Sequence, residues 1–212
     1  MRIIQVDLNK DYKEVLDEAV HVLSAGGVIV YPTDTIYGLG ANAMNLKGVE
    51  RIFRIKKRSL SKPLPIIAKN MNWVNELAHV SPRHLKILSK AWPGKVTAVL
   101  PKRSVVPDMV TARAKTVGIR IPDHIFTDKL LGRFGYPLTA TSANLSGGEG
   151  TTDIHQIIAV FENSLWKPDL VIDAGILPKS GPSMVLDLTG GKPKILRVGP
   201  SKPEEFLKLL EL

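Results

Sequence analysis

The chain has 212 residues, of which 44% are apolar and 23% are charged, and it contains no cysteine. This length and composition fit one globular domain over residues 1–212, and they exclude a chain that is disordered throughout or stapled by disulfides. The formal net charge of +9 favours polyanionic partners such as nucleotides or RNA. No apolar run approaches the roughly 20 residues that cross a bilayer, and the N-terminus turns polar too early for a signal peptide. We therefore expect a cytoplasmic protein without membrane contact.

Hydrophobic periodicity predicts alternating helices and strands in the first half of the chain. Apolar residues at helical spacing predict a helix over 11–25, which two glycines end. The β-branched run 28–31 predicts a buried strand, which is followed by a polar turn with Gly38-Leu39-Gly40 and by a helix that ends in basic residues. The other elements predicted here are an apolar run over 64–68, helices over 72–79 and 82–90 with Ser81 as the N-cap of the second, and a strand over 96–101.

The second half is predicted to contain shorter elements joined by polar loops. Residues 102–116 are basic and irregular, and residues 142–150 form a glycine-rich loop. Because several strands are joined by short turns, we expect an α/β (α+β) fold with one twisted, mixed parallel and antiparallel sheet surrounded by helices. The predicted elements are strands over 117–122, 137–141, 170–173, 183–188 and 194–198, and helices over 126–134, 153–161 and 204–210.

Several common site motifs are absent or out of context. Gly38, Gly40 and Ala43 match the loose dinucleotide fingerprint G-x-G-x-x-A, but the first glycine comes seven residues after the strand ends. We therefore expect these glycines to form a tight turn or to let the backbone approach a ligand closely. The five histidines have no metal-ligand spacing, so no protein metal site is predicted.

Two predicted strands end in hydroxyl-rich loops, at 33–37 and at 142–144, and these loops fit one polar mouth at a shared sheet edge. We expect Ser183 and Arg197 to lie at the rim of the same polar mouth. A cluster of cations at 56–62 has two open interpretations. It either complements the dipole of the preceding helix at the surface, or it recognises phosphate groups. Spacing alone leaves a nucleotide- or RNA-binding site.

Taken together, the motifs resemble those of the YrdC/Sua5 family. The run YPTDTIYGL at 31–39 closely resembles the family signature, and further similar motifs follow in the family's order over about residues 10–200. These motifs are Lys56-x-Arg58 with Lys62-Pro63-Leu64, Trp92-Pro93-Gly94 with Thr97, Arg120-x-Pro122, Thr141-Ser142-Ala143-Asn144, Ser183 before an apolar strand, and Arg197-Val198-Gly199.

The resemblance implies a threonylcarbamoyl-AMP synthase, a nucleotidyltransferase that converts L-threonine, bicarbonate and ATP into threonylcarbamoyl-AMP and pyrophosphate. The product feeds the t6A modification of tRNA through a downstream threonylcarbamoyl-transfer machinery. The resemblance also implies a YrdC/RibB-like fold with a large basic cavity. Mg²⁺ is expected on the phosphates of ATP.

The resemblance further implies three sets of site residues. The catalytic set falls on the family's K-x-R…S-x-N tetrad and comprises Lys56, Arg58, Ser142 and Asn144. The positions that hold L-threonine are Thr35, Ser142 and Ser183. The positions on the ATP side are Arg58, Lys62, Arg120, Asn144, Thr152 and Arg197.

Two residues depart from the family pattern, and one alternative function stays open. Ser59 stands where many relatives have proline, and Ile67 stands where some have a histidine near threonine. The alternative is a module that binds double-stranded RNA or tRNA without catalysis, because a basic cavity suits either function. The small hydroxyls at 35, 142 and 183 favour the enzyme, since a groove for an RNA backbone needs cations instead.

Overall fold

The computed structural model describes residues 1–200, and the helix predicted over 204–210 lies outside them. The strands form two sheets instead of the single sheet predicted. The first sheet has the spatial order β1 (Arg2–Gln5), β9 (Leu170–Asp173), β2 (Ile29–Tyr31), β3 (Gly38–Gly40) and β8 (Thr141–Ser142). The second has the order β11 (Lys194–Arg197), β10 (Met184–Asp187), β5 (Val96–Pro101), β6 (Thr116–Arg120), β4 (Ile66–Ile67) and β7 (Leu138–Thr139).

Both sheets are mixed, as the sequence predicts. In the first sheet β9 pairs in parallel with β1 and β2, whereas β3 pairs antiparallel with β2 and β8. In the second sheet the parallel pairs are β5 with β10 and β4 with β6. The α/β class with mixed sheets and helices is therefore confirmed.

Seven helices surround the sheets within residues 1–200, and most begin where a polar side chain caps the first turn. Asn45 accepts hydrogen bonds from two backbone N–H groups of the second helix, and Ser81 caps the fourth as predicted. None of these helices is long and apolar enough to span a membrane. The helices are α1 (Lys13–Ser24), α2 (Leu46–Lys56), α3 (Met71–Leu77), α4 (Pro82–Ala91), α5 (Asp108–Thr111), α6 (Ile125–Phe134) and α7 (Ile154–Glu162).

The run 137–141, predicted as one strand, is divided between the two sheets. Its first part, β7, pairs with β4 in the second sheet, and its last part, β8, pairs with β3 in the first sheet. Between them the backbone N–H of Ala140 donates to the carbonyl of Pro65 over 2.8 Å. Periodicity could not reveal this division, because both parts are apolar or hydroxyl-bearing and their partners are distant in sequence. The crossing places Ser142 beside Gly38.

The tight turn predicted at the Gly-Leu-Gly sequence is wrong, because these residues form strand β3. The ring of Tyr31 on β2 lies against both glycines. A Cβ atom at Gly38 would lie 2.8 Å from the ring Cζ, and one at Gly40 would lie 2.7 Å from Cε1. The glycines therefore allow the ring of Tyr31 to approach the backbone of β3, and the predicted approach of a ligand to this backbone stays a prediction.

The sequence analysis did not predict strand β1. It is four residues long, it is largely exposed, and it pairs only with β9 at the edge of the first sheet. So short a segment carries little alternation between polar and apolar residues. The irregular stretch 102–116 is interrupted by the short helix α5.

We predict that Gly40→Ala destabilises the fold by about 1–3 kcal/mol, because the added methyl group overpacks against the ring of Tyr31. Urea unfolding measures this loss. Gly181→Ala is the matched control, since a Cβ there would meet no atom within 4 Å. Equal free energies of unfolding for the two variants would contradict the packing argument.

Candidate functional site

A cavity of about 390 Å³ lies where the two sheets face each other. Within residues 1–200, the charged side chains in its lining are arginines, with no carboxylate among them. Such a surface attracts anions. Six of the residues predicted for the site line this cavity, namely Thr35, Arg58, Arg120, Ser142, Ser183 and Arg197.

Lys56 lies behind the cavity wall and is almost completely buried. Its Nζ donates to the carbonyl of Ser142 over 2.6 Å, to the carbonyl of Asn144 over 2.8 Å and to Asn144 Oδ1 over 2.6 Å. Ser142 Oγ also donates to Asn144 Oδ1, over 2.7 Å. Three of the four tetrad residues predicted from the sequence thus bind one another, and only Ser142 of these three reaches the cavity.

The contacts of Lys56 require its charged form. Burial, reinforced by the nearby cation of Arg58, lowers the pKa of Lys56 to about 7. An ammonium group has three N–H donors, which match the three acceptors, whereas a neutral amine has two. The hydrogen bonds that hold the 142–144 loop are therefore complete only while Lys56 is protonated.

The local fold explains why this lysine is available to the loop. Lys56 is the last residue of α2, and Lys57 ends the helix in the left-handed region at φ 50°. The backbone carbonyl of Lys56 accepts a hydrogen bond from the backbone N–H of Ser146 over 2.8 Å. Both ends of Lys56, backbone and side chain, therefore bind the loop that follows β8.

Arg120 stabilises the loop that follows β2. Its Nη1 donates to Thr35 Oγ1 over 2.9 Å, its Nη2 donates to Asp34 Oδ1 over 2.5 Å, and its Nε donates to the carbonyl of Gly94 over 2.8 Å. The side chains of Arg120 and Asp34 are each only 8% exposed. Burial lowers the pKa of Arg120, and the Asp34 carboxylate opposes this effect. Since a guanidinium has five N–H donors, two remain for a ligand.

Ser183 and its neighbours form a third wall. Ser183 Oγ lies 2.9 Å from Thr97 Oγ1, and the carbonyl of Ser183 accepts from Arg197 Nε over 3.0 Å and Nη2 over 2.7 Å. The sequence analysis gave Thr97 no role in the site. The available signals were its place with Trp92-Pro93-Gly94 among the family motifs and its hydroxyl in the otherwise apolar strand β5.

Three residues predicted for ATP lie outside the cavity lining, namely Asn144, Lys62 and Thr152. The side chain of Lys62 is exposed, and its carbonyl accepts from Arg58 Nε over 3.3 Å. The carbonyl of Thr152 accepts from the backbone N–H of Leu177 over 3.0 Å. By contrast, the apolar Ile67, which departs from the family pattern, is part of the lining.

The part of the chain from 1 to 200 contains no cluster of three or more His, Cys, Asp or Glu side chains that could hold a metal ion. Mg²⁺ is usually bound through one or two carboxylates together with waters and substrate phosphates, so an Mg²⁺ ion on a nucleotide does not require such a cluster.

These features define a class of protein, an α/β protein with an arginine-lined cavity between two mixed sheets. The family model Sua5/YciO/YrdC, described as telomere recombination, matches residues 21–199. The chain belongs to this family. The match to the family model confirms the resemblance inferred from the sequence motifs.

Individual relatives are similar over most of the chain. The threonylcarbamoyl-AMP synthase of Pyrococcus abyssi is 37% identical over 193 residues, and that of Coxiella burnetii is 33% identical over 189. These alignments cover 91% and 89% of this chain. The chain spans 56% of the length of the Pyrococcus protein and 99% of the Coxiella protein.

Two solved structures extend the comparison to the fold. The crystal structure of P. abyssi Sua5 complexed with L-threonine superposes with a TM-score of 0.91 at 35% identity, over 99% of this chain and 61% of that one. E. coli YciO gives a TM-score of 0.85 at 29% identity, over 97% and 98% of the two chains. The fold is therefore that of the family.

We predict that Lys56→Met lowers the free energy of unfolding by about 2–3 kcal/mol, because two buried carbonyls and an amide oxygen lose their shared donor. Chemical denaturation measures the loss. The matched control is Lys57→Met, which removes an exposed lysine from the next position and should change stability by no more than about 0.5 kcal/mol. Equal stability of the two variants would show that Lys56 does not anchor the loop.

Proposed function

We propose that this protein synthesises threonylcarbamoyl-AMP from L-threonine, bicarbonate and ATP, with release of pyrophosphate, in the cavity between its two sheets. The enzyme class predicted from the sequence, a threonylcarbamoyl-AMP synthase, is confirmed by relatives of that name at 33–37% identity. The observation that carries the assignment of the site is the convergence of small hydroxyls and arginines on one cavity.

The hydroxyls of the cavity suit a zwitterionic amino acid. Thr35, Ser142 and Ser183 come from three separate segments and line the same space. Each hydroxyl is oriented by a neighbour, namely Arg120, Asn144 and Thr97 respectively. Preorganised donors and acceptors of this kind bind a carboxylate or hydroxyl group without the cost of ordering them at the moment of binding.

The arginines suit the phosphates of ATP. Arg58 donates from Nε and Nη2 to the carbonyls of Lys62 and Pro63, so three of its five N–H donors remain for a ligand. Arg197 holds the Ser183 carbonyl and lines the same cavity. Mg²⁺ bound to the phosphate oxygens would neutralise further charge on the nucleotide.

The proposed chemistry needs no covalent nucleophile from the protein. The threonine amine forms an N–C bond with the carbon of CO₂, which gives a carbamate after loss of a proton. With bicarbonate the same N–C bond forms while one C–O bond breaks and water leaves. A carbamate oxygen then attacks the α-phosphorus, and the bond to the pyrophosphate oxygen breaks. The cavity contributes orientation of the reactants, neutralisation of phosphate charge and exclusion of water from the labile carbamate.

The proposal includes the product's destination and the extent of the domain. Threonylcarbamoyl-AMP would pass to a machinery that transfers the threonylcarbamoyl group to tRNA, and residues 1–212 would form one domain. Direct contact with tRNA or double-stranded RNA and a cytoplasmic location stay predictions.

We expect purified protein to release pyrophosphate from ATP and bicarbonate only when L-threonine is present. Coupled detection of pyrophosphate, with and without threonine, makes the test, and L-valine serves as a control of similar shape without the hydroxyl. Release that is absent or indifferent to threonine would reject the enzyme. RNA affinity that falls steeply with salt would then support the alternative binding function.

We predict that Arg58→Ala abolishes threonylcarbamoyl-AMP formation and leaves the fold intact, because among residues 1–200 the side chain donates to carbonyls of an adjacent surface loop. Product formation and thermal unfolding measure the two effects. Arg2→Ala removes an exposed arginine from the edge strand β1 and should leave both unchanged. Wild-type turnover by Arg58→Ala would refute the role of this arginine.

A further inference from the structure

We propose that Lys95 is an additional phosphate-binding residue, which contacts the pyrophosphate part of ATP at the mouth of the cavity. This inference rests on the proposed function and adds a contact to the same site. Lys95 belongs to none of the residue sets predicted from the sequence.

The direction of the Lys95 side chain follows from strand β5. Thr97 and Val99 of this strand line the cavity. Lys95 directly precedes the strand, and its carbonyl accepts from the backbone N–H of Met184 over 2.9 Å, which continues the pairing of β5 with β10. Because side chains two residues apart point to the same face of a strand, Lys95 extends on the cavity side of the sheet.

The position of the ammonium group agrees with this direction. Lys95 Nζ lies 3.4 Å from Ser180 Oγ. Ser180 belongs to the loop before β10, in which Pro182 and Ser183 line the cavity. Lys95 and Ser180 are not themselves among the residues that line the cavity, so the ammonium lies beside the segment that carries Ser183. In the proposed contact, the flexible stem of Lys95 rotates toward the ligand.

The charge of Lys95 is not balanced by the surrounding protein. The contact with Ser180 is long and involves a neutral hydroxyl, and the side chain is only partly exposed. Among residues 1–200, none of the ion pairs found includes Lys95. Arg120, in contrast, is paired with Asp34. A cation beside a cavity without lining carboxylates favours an anionic ligand.

The ligand chemistry points to the pyrophosphate end of ATP. Among the three substrates, ATP carries the most negative charge, and that charge is concentrated on its terminal phosphates. A lysine acts as a compact point charge on a mobile stem, so it can stay with the terminal phosphates while their bond to the α-phosphate breaks. Threonine and bicarbonate offer no comparable charge.

Three variants test this inference. Lys95→Met removes the charge and keeps the length of the stem, and Lys95→Arg restores a cation. Lys47→Met is the matched control, because Lys47 is an exposed lysine at the far end of α2 from Lys56. Steady-state kinetics give KM for ATP and for threonine separately, and calorimetry gives the affinity for inorganic pyrophosphate in the absence of turnover.

We expect Lys95→Met to raise KM for ATP and to weaken pyrophosphate binding by about three- to tenfold at low ionic strength. KM for threonine should stay unchanged, and Lys95→Arg should recover most of the lost affinity. If Lys95→Met leaves both KM for ATP and pyrophosphate affinity unchanged, the proposed role of Lys95 is wrong. Threonine-dependent turnover would still support the proposed function in that case. If the wild type shows no turnover, the proposed function fails, and equal pyrophosphate binding by wild type and Lys95→Met would reject the Lys95 contact separately.

Discussion

The geometry of the site depends on one buried ammonium group. Lys56 connects the end of helix α2 to the loop after strand β8, with three short hydrogen bonds to two residues of that loop. A buried charge is tolerated only when its hydrogen bonds are complete, so the loop and the lysine fix each other. Through this contact Ser142 is held at the cavity wall. Lys56 binds protein groups and is not part of the cavity lining, and its predicted catalytic role stays a prediction.

Arginine side chains fix the other walls of the cavity, again through hydrogen bonds to protein groups. Arg120 binds Asp34, Thr35 and Gly94, which come from two separate loops. Arg197 binds the backbone of Ser183. Several polar side chains of the site are therefore partly occupied by protein partners before any ligand arrives. The cost of ordering them belongs to folding and does not reduce the affinity for substrates.

The sequence predicts the elements well and their long-range arrangement less well. Strand β5 and strand β9 have the predicted bounds, since each is apolar apart from one residue. The division of residues 137–141 between two sheets could not be predicted, because it depends on partners far away in sequence. For the site, chemistry and family motifs indicate the hydroxyls and arginines. The motifs do not reveal that the side chain of Lys56 points away from the cavity. The direction and the burial of this side chain are set only when helix α2 packs against the loop after β8.

Tyr31 has a consequence for how the protein can move. Its ring covers the two glycines of β3 in the first sheet, and its hydroxyl lies 3.3 Å from the carbonyl of Thr139 in the second sheet, to which it donates. A rigid ring of fixed size therefore acts as a spacer between the two layers and sets the width of the gap between them. Burial raises the pKa of Tyr31, so the phenol stays neutral and the spacer keeps its hydrogen bond at physiological pH. We therefore expect the two layers to keep their separation at Tyr31 when a substrate binds.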